Sequence, residues 1–109
     1  MPTAYKVLGQ TEPAATTAAD LYTVPAATSA VVSSITICNR DSSPGTFRIS
    51  IRPGGAAQSD EHYVVYDAGI VENDTIILTV GLTLEATDVI TVYSSNADTA
   101  FNAYGSELT

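Results

Sequence analysis

The sequence predicts an all-β protein: a single antiparallel β-sandwich of about eight strands spanning residues 1–109, with jelly-roll and immunoglobulin-like topologies both open. Three observations carry this. Short runs of Val, Ile, Thr and Tyr recur along the whole chain, separated by Pro, Gly, Asn and Asp. Turn signals fall every 8 to 14 residues, and no segment offers the crossover helices that a parallel sheet needs. The length of 109 residues with 45% hydrophobic content suits one domain with one modest core, and no boundary divides it.

The elements follow in order. A first strand is expected over 4–10, then a turn or short linker over 11–16. A second strand, 18–24, stops at Pro25, because proline cannot donate to a ladder and belongs at a strand end or edge. Pro13-Ala14-Ala15-Thr16 recurs as Pro25-Ala26-Ala27-Thr28, which reads as two similar turns rather than a structural repeat. The alanines here do not make a helix, since β-branched residues and prolines interrupt every window long enough to hold one. The third strand, 30–39, places Ser33, Ile35, Ile37 and Asn39 on one face and Ser34, Thr36 and Cys38 on the other. It ends at the dense turn signal 39–45.

The fourth strand, 46–52, alternates cleanly: Phe47, Ile49 and Ile51 inward, Arg48, Ser50 and Arg52 outward. The longest loop, 53–61, comes next, followed by a fifth strand over 62–66 and a turn at Asp67-Ala68-Gly69. A sixth strand covers 74–80, with 82–84 a separate short segment before the turn 85–88. The seventh, 89–94, sets Ile90 and Val92 on one face against Val89, Thr91 and Tyr93 on the other. The last strand, 100–108, closes the domain.

Four Lys and Arg against 12 Asp and Glu give a net charge of −8. No basic stripe is present to displace phosphate counterions, which argues against nucleic acid, and the same deficit argues against an anionic membrane surface. No window approaches the ~20 apolar residues of a membrane helix. The N-terminus, Met1-Pro2-Thr3-Ala4-Tyr5-Lys6, lacks a basic run followed by an apolar stretch, so a protein that acts in the cytoplasm or is assembled there is expected. The single Cys38 sits in a strand-like run, where a small packing residue is expected; an inter-chain bridge or reactive thiol is the alternative.

Candidate chemistry is sparse. Asp60-Glu61-His62 resembles an acid–base or metal cluster, but the one His of the chain has no second ring and no orienting partner, so a solvated loop is expected. Asp41, Glu72, Asp74 and Asp88 lie near turns, where turn chemistry accounts for them without an ion. Asn73-Asp74-Thr75 fits a glycosylation pattern and is read as a turn entering a strand. No catalytic residue, cofactor site or metal site is predicted.

The interaction candidates are Arg48, Arg52, Tyr63 and Tyr66. Arg48 and Arg52 share one strand face about 13 Å apart, at ~3.3 Å per residue. They pair either with acids of a neighbouring strand or across a subunit interface. The chain has six tyrosines and no Trp, and Tyr serves as core aromatic, interface anchor or sugar-stacking surface. Tyr63 and Tyr66 flank the long loop and are expected on opposite faces, one of them exposed.

The stretch 20–40 (Asp20-Leu21-Tyr22-Thr23-Val24-Pro25 through Ile35-Thr36-Ile37-Cys38-Asn39-Arg40) resembles small β-sandwich virion proteins of tailed bacteriophages. Phe47-Arg48-Ile49-Ser50-Ile51-Arg52, Asn73-Asp74-Thr75 and Leu82-Thr83-Leu84 continue the likeness, which rests on strand-and-turn spacing over most of the chain. The resemblance implies a non-enzymatic structural part located in the virion. It would be a capsid decoration (cement) protein, or else a tail-, neck- or fibre-associated component. Its partners would be further copies of itself and other virion proteins such as the major capsid protein. It transfers no site residues. The composition agrees in class, since a sandwich has edge strands and apolar faces that self-association covers. A glycan- or receptor-binding module is the alternative, with Tyr63, Tyr66 and the loop 53–61 as its surface.

Overall fold

The computed structural model describes residues 2–109 and consists of eight antiparallel strands in two four-stranded sheets. They are β1 (Thr3–Thr11), β2 (Ala19–Thr23), β3 (Ser29–Asn39), β4 (Gly45–Arg52), β5 (Tyr63–Ile70), β6 (Asp74–Leu84), β7 (Val89–Ser94) and β8 (Thr99–Leu108). One sheet runs β1-β8-β3-β6 and the other β2-β7-β4-β5. The all-β antiparallel sandwich expected from the sequence is therefore the observed fold.

The pairings also decide the topology. β1 pairs with β8, β2 with β7, β3 with β6 and β4 with β5. That is one long hairpin whose tip is the 53–62 connection. Rolling it up adds the β3–β8 and β4–β7 pairings that complete the two sheets. This is a jelly roll, and the immunoglobulin-like alternative is set aside. Among the described residues, no helix is long and apolar enough to cross a membrane.

Alternating side chains from the two inner faces form the core. Val32, Ile35, Ile37, Phe101 and Ala103 come from one sheet and Phe47, Ile49, Ile90 and Val92 from the other, all nearly or fully buried. Phe47 and Phe101 meet edge-to-face with centroids 6.3 Å apart. Burying such a side chain contributes roughly 1.5–3 kcal/mol, so in a chain without a disulfide this seam is the main source of cohesion.

Four expectations need correction, and β-bulges explain three of them. Asp67-Ala68-Gly69 is not a turn but part of β5: Asp67 takes a left-handed φ of 51° and the register slips by one opposite Arg48. Likewise 82–84 is not separate. β6 runs unbroken from Asp74 to Leu84 across a bulge at Val80-Gly81, where Gly81 has φ 68°. Ser33 does not share the face of Ile35 and Ile37, because an irregularity there inverts the parity of β3, so Ala30 and Val32 point inward before it and Ile35 and Ile37 after it. Ser50 does point away from the core, yet it is only 2% exposed, because the 53–62 connection folds back over it.

The two Pro-Ala-Ala-Thr segments are both turns. Their left-handed residues differ, Thr16 in the first and Ala27 in the second. Asn73 (φ 52°) forms the tight turn into β6. Buried Asn39 organises the loops at that end. Its Nδ2 donates to the carbonyls of Ser43 and Val71, and its Oδ1 accepts from the Asp41 amide.

Candidate functional site

The two outer faces of the sandwich differ in kind, and the charge distribution shows how. All four basic side chains are engaged internally: Lys6 with Glu107 (2.7 Å), Arg40 with Glu12 (2.5 Å), Arg48 with Asp67 (2.6 Å) and Arg52 with Asp20 (3.1 Å). The remaining acids fall in connections, apart from Asp74 at the start of β6.

On the β1-β8-β3-β6 sheet the four strands hold only three charged residues, Lys6, Asp74 and Glu107. All three take core-facing register positions, opposite Gly105, Asn39 and Ala30 respectively. The outward positions are uncharged throughout. Tyr5, Val7, Val31 and Ile77 stand exposed among Thr36, Thr75, Thr79, Asn102 and the half-buried Cys38 and Tyr104. The sheet ends on β6, an edge strand of eleven residues with no Pro or Lys.

The β2-β7-β4-β5 sheet carries a polar groove of about 420 Å³ on its outer face. Its floor is one row of the sheet, Asp20, Thr91, Ser50 and Tyr63, which the register sets side by side on β2, β7, β4 and β5. The next row is Tyr93, Arg48 and Tyr66. The Arg48 guanidinium lies between the two rings, 4.3 Å from each centroid. Asp67 accepts from Arg48 Nε and Nη2; this hydrogen bond holds the Asp67 carboxyl below its ordinary range and the guanidinium above its own.

Arg52 acts as a clamp at the other end. Nε donates to Thr91 Oγ1 (2.9 Å), Nη2 to Asp20 Oδ1 (3.1 Å), and Nη1 to the carbonyls of Gly55 and Ala56 (3.2 and 2.8 Å). Thr91 Oγ1 donates in turn to Asp20 Oδ1 at 3.2 Å, and Ser50 Oγ to Gln58 Oε1 at 2.7 Å. The loop over the groove is thus tied down by side chains of the sheet it covers. Gly54 and Gly55, both with positive φ, let it reverse, and Asp88 Oδ1 accepts from the Gly54 amide.

All four interaction candidates therefore lie on this face. Arg48 and Arg52 pair within the chain, as one of the two readings of them had it. The expectation that Tyr63 and Tyr66 point to opposite faces is wrong. A bulge at Val64 inserts one residue between them, and their rings meet edge-to-face at 4.8 Å. Tyr66 is the exposed member at 58%, and the half-buried Tyr63 also borders an adjoining concavity with Asp60 and Tyr66. Sequence reasoning missed Asp20, Gln58 and Thr91. Asp20 and Thr91 could have been found only with the pairing of β2 to β7 in hand.

The Asp60-Glu61-His62 cluster is a short turn. His62 Nδ1 accepts from the Ser59 amide at 3.2 Å, so this ring nitrogen caps the turn, and the Ser59 hydroxyl draws the Glu61 carboxyl below its usual range. Asp88 uses both carboxylate oxygens on the amides of Gly54 and Glu85, and Asp41 accepts from the Ser43 amide. No group of three or more metal-ligating side chains occurs among the described residues.

Fold and surfaces together define a small jelly roll with one charge-free face and one polar, aromatic-walled groove. No family model matches the chain, and no curated protein matches it either.

Proposed function

We propose that this protein is a non-enzymatic structural component that works by protein–protein contact, in the manner of a virion decoration or tail-associated protein of a tailed phage. The observation that carries the reading is the charge-free outer face of the β1-β8-β3-β6 sheet on a chain of net charge −8. Depletion of charge is the compositional mark of an interface core. The first occupant of this face is a second copy. Two copies each at −8 repel, and they can approach closely only where neither presents charge. The long β6 edge suits antiparallel pairing with its own symmetry mate, which requires no complementary patch. The virion role rests on the sequence resemblance and on the fold-level analogy with jelly-roll capsid domains.

The test is solution mass by light scattering after size exclusion at two concentrations, with Ile77→Asp as the probe on β6. We expect a defined oligomer that Ile77→Asp converts to monomer with an unchanged circular dichroism spectrum. A strict monomer at both concentrations removes the self-associating reading. Absence of the chain from purified particles of its own source removes the virion reading.

A further inference from the structure

We infer that the groove on the β2-β7-β4-β5 sheet is a binding site for a neutral saccharide. It is independent of the charge-free face, which lies on the opposite side of the sandwich. Hydrogen-bond supply in the groove sets the class of ligand. Arg52 spends Nε, Nη1 and Nη2 on Thr91, Asp20 and two loop carbonyls, and Arg48 spends Nε and Nη2 on Asp67. The two cations and two carboxylates cancel locally, so the groove is neutral. What remains presented is the exposed Asp20 carboxylate and the exposed Gln58 amide, beside Arg48 Nη1, over a floor in which Thr91 and Ser50 are buried.

An anion meets the Asp20 carboxylate, and both guanidinium groups are already paired with carboxylates, which leaves it only the Arg48 Nη1 edge. A sugar brings several hydroxyl donors on a rigid ring, together with an apolar C–H face. The Tyr63 ring, bordering concavities on two sides, provides the flat surface such a face stacks on. The polar groups are held in place before any ligand arrives, because Asp20, Thr91 and Arg52 bond one another and Gln58 is held by Ser50. Such preorganisation lowers the ordering cost of binding. Backbone geometry adds one point: Thr16, a β-branched residue with φ 52°, lines the same groove, and its amide is bonded to the Ser94 carbonyl.

The experiment is a printed array of neutral and anionic oligosaccharides probed with the intact protein. Amide chemical-shift titration with the best soluble hits follows. We expect retention on neutral glycans, with shifts confined to β2, β4, β5, β7 and the 53–62 loop. Tyr63→Ala should weaken binding tenfold or more. Gln58→Ala, at an exposed loop position that leaves the fold intact, should weaken it several-fold, and Ile77→Ala on the far sheet should leave it unchanged. A blank array with folded protein overturns the inference. Binding confined to sulfated or sialylated glycans, shifts mapping to the other sheet, or Tyr63→Ala and Gln58→Ala variants that bind as well as the parent do the same.

Discussion

The buried Tyr22–Glu107 contact gives the sharpest stability prediction. Tyr22 is 7% exposed and Glu107 8% exposed, and the phenol donates to Glu107 Oε2 at 2.5 Å while Lys6 Nζ lies 2.7 Å from Oε1. Hydrogen bonds from Lys6 and then Tyr22 hold the Glu107 carboxyl below its ordinary range. Tyr22→Phe keeps the ring and removes only the donor. A hydrogen bond to a charged group is worth about 1.5–3 kcal/mol. Lys6 is half exposed and compensates weakly, so a loss of about 2 kcal/mol is expected, a fall in Tm of roughly 8–16 °C for a chain of this size. The pH dependence has a definite sign. A carboxyl with a depressed folded pKa contributes stability above its unfolded value of about 4.3 and loses it as pH falls through the folded value. The gap between wild type and Tyr22→Phe should therefore be full at pH 7 and narrow in acid below about pH 4. At the alkaline end burial, with Glu107 adding to it, pushes the Tyr22 phenol above its usual range. Wild type then gains an alkaline instability above about pH 10, where the unfolded phenol ionises and the folded one does not; the variant lacks it. Urea unfolding at pH 3, 7 and 10.5 measures all three. A difference under about 0.5 kcal/mol at pH 7, or one of equal size at pH 3, refutes the reasoning.

Three further substitutions test the frame. Arg52→Lys keeps the charge but loses the fork that joins Asp20, Thr91 and the loop carbonyls, so it should cost about 1–2 kcal/mol and speed amide exchange over 53–58; unchanged exchange would show that the clamp is not what orders the loop. Gly105→Ala would set a methyl 2.0 Å from the Val31 carbonyl oxygen on the neighbouring strand, so thermal melting should show a loss of about 2–3 kcal/mol. Thr87→Gly relieves a β-branched residue at φ 72° in the β6–β7 turn, and a gain of about 0.5–1 kcal/mol by urea titration is expected, because the left-handed penalty of about 1–2 kcal/mol exceeds the added chain entropy.

The strands were legible because alternation of Phe47, Ile49 and Ile51, or of Ile35 and Ile37, is a direct imprint of a half-buried pleat. The bulges were not. Asp67-Ala68-Gly69 reads as a turn on local chemistry, and only the pairing of β5 against β4 shows that it continues the strand. Parity errors follow from the same cause. One extra residue at Ser33 reverses the rest of β3, and one at Val64 reverses Val65 and Tyr66 until the Asp67 bulge restores the parity; no local signal marks Ser33 among serines or Val64 among valines. The groove shows the same limit. Arg48, Arg52, Tyr63 and Tyr66 stood out by type, whereas Asp20 and Gln58 belong to the site only through a strand pairing and a loop that folds back.

The two proposed surfaces constrain one another through the jelly roll itself. Rolling one hairpin assigns β1, β3, β6 and β8 to one sheet and β2, β4, β5 and β7 to the other, so their outer faces look in opposite directions. A copy docked by the charge-free face necessarily turns the groove outward, and one docked by the groove leaves the charge-free face and the β6 edge uncovered. The second arrangement is the unstable one, because an eleven-residue edge whose single charge is Asp74 at its start invites open-ended strand pairing. The first closes that edge and leaves exposed only a face whose charges are already matched within the chain. Variants should therefore separate cleanly. Ile77→Asp should abolish assembly and spare saccharide binding per chain, while Tyr63→Ala should do the reverse. A single substitution on either face that removes both properties would mean that the two sheets do not act as independent surfaces.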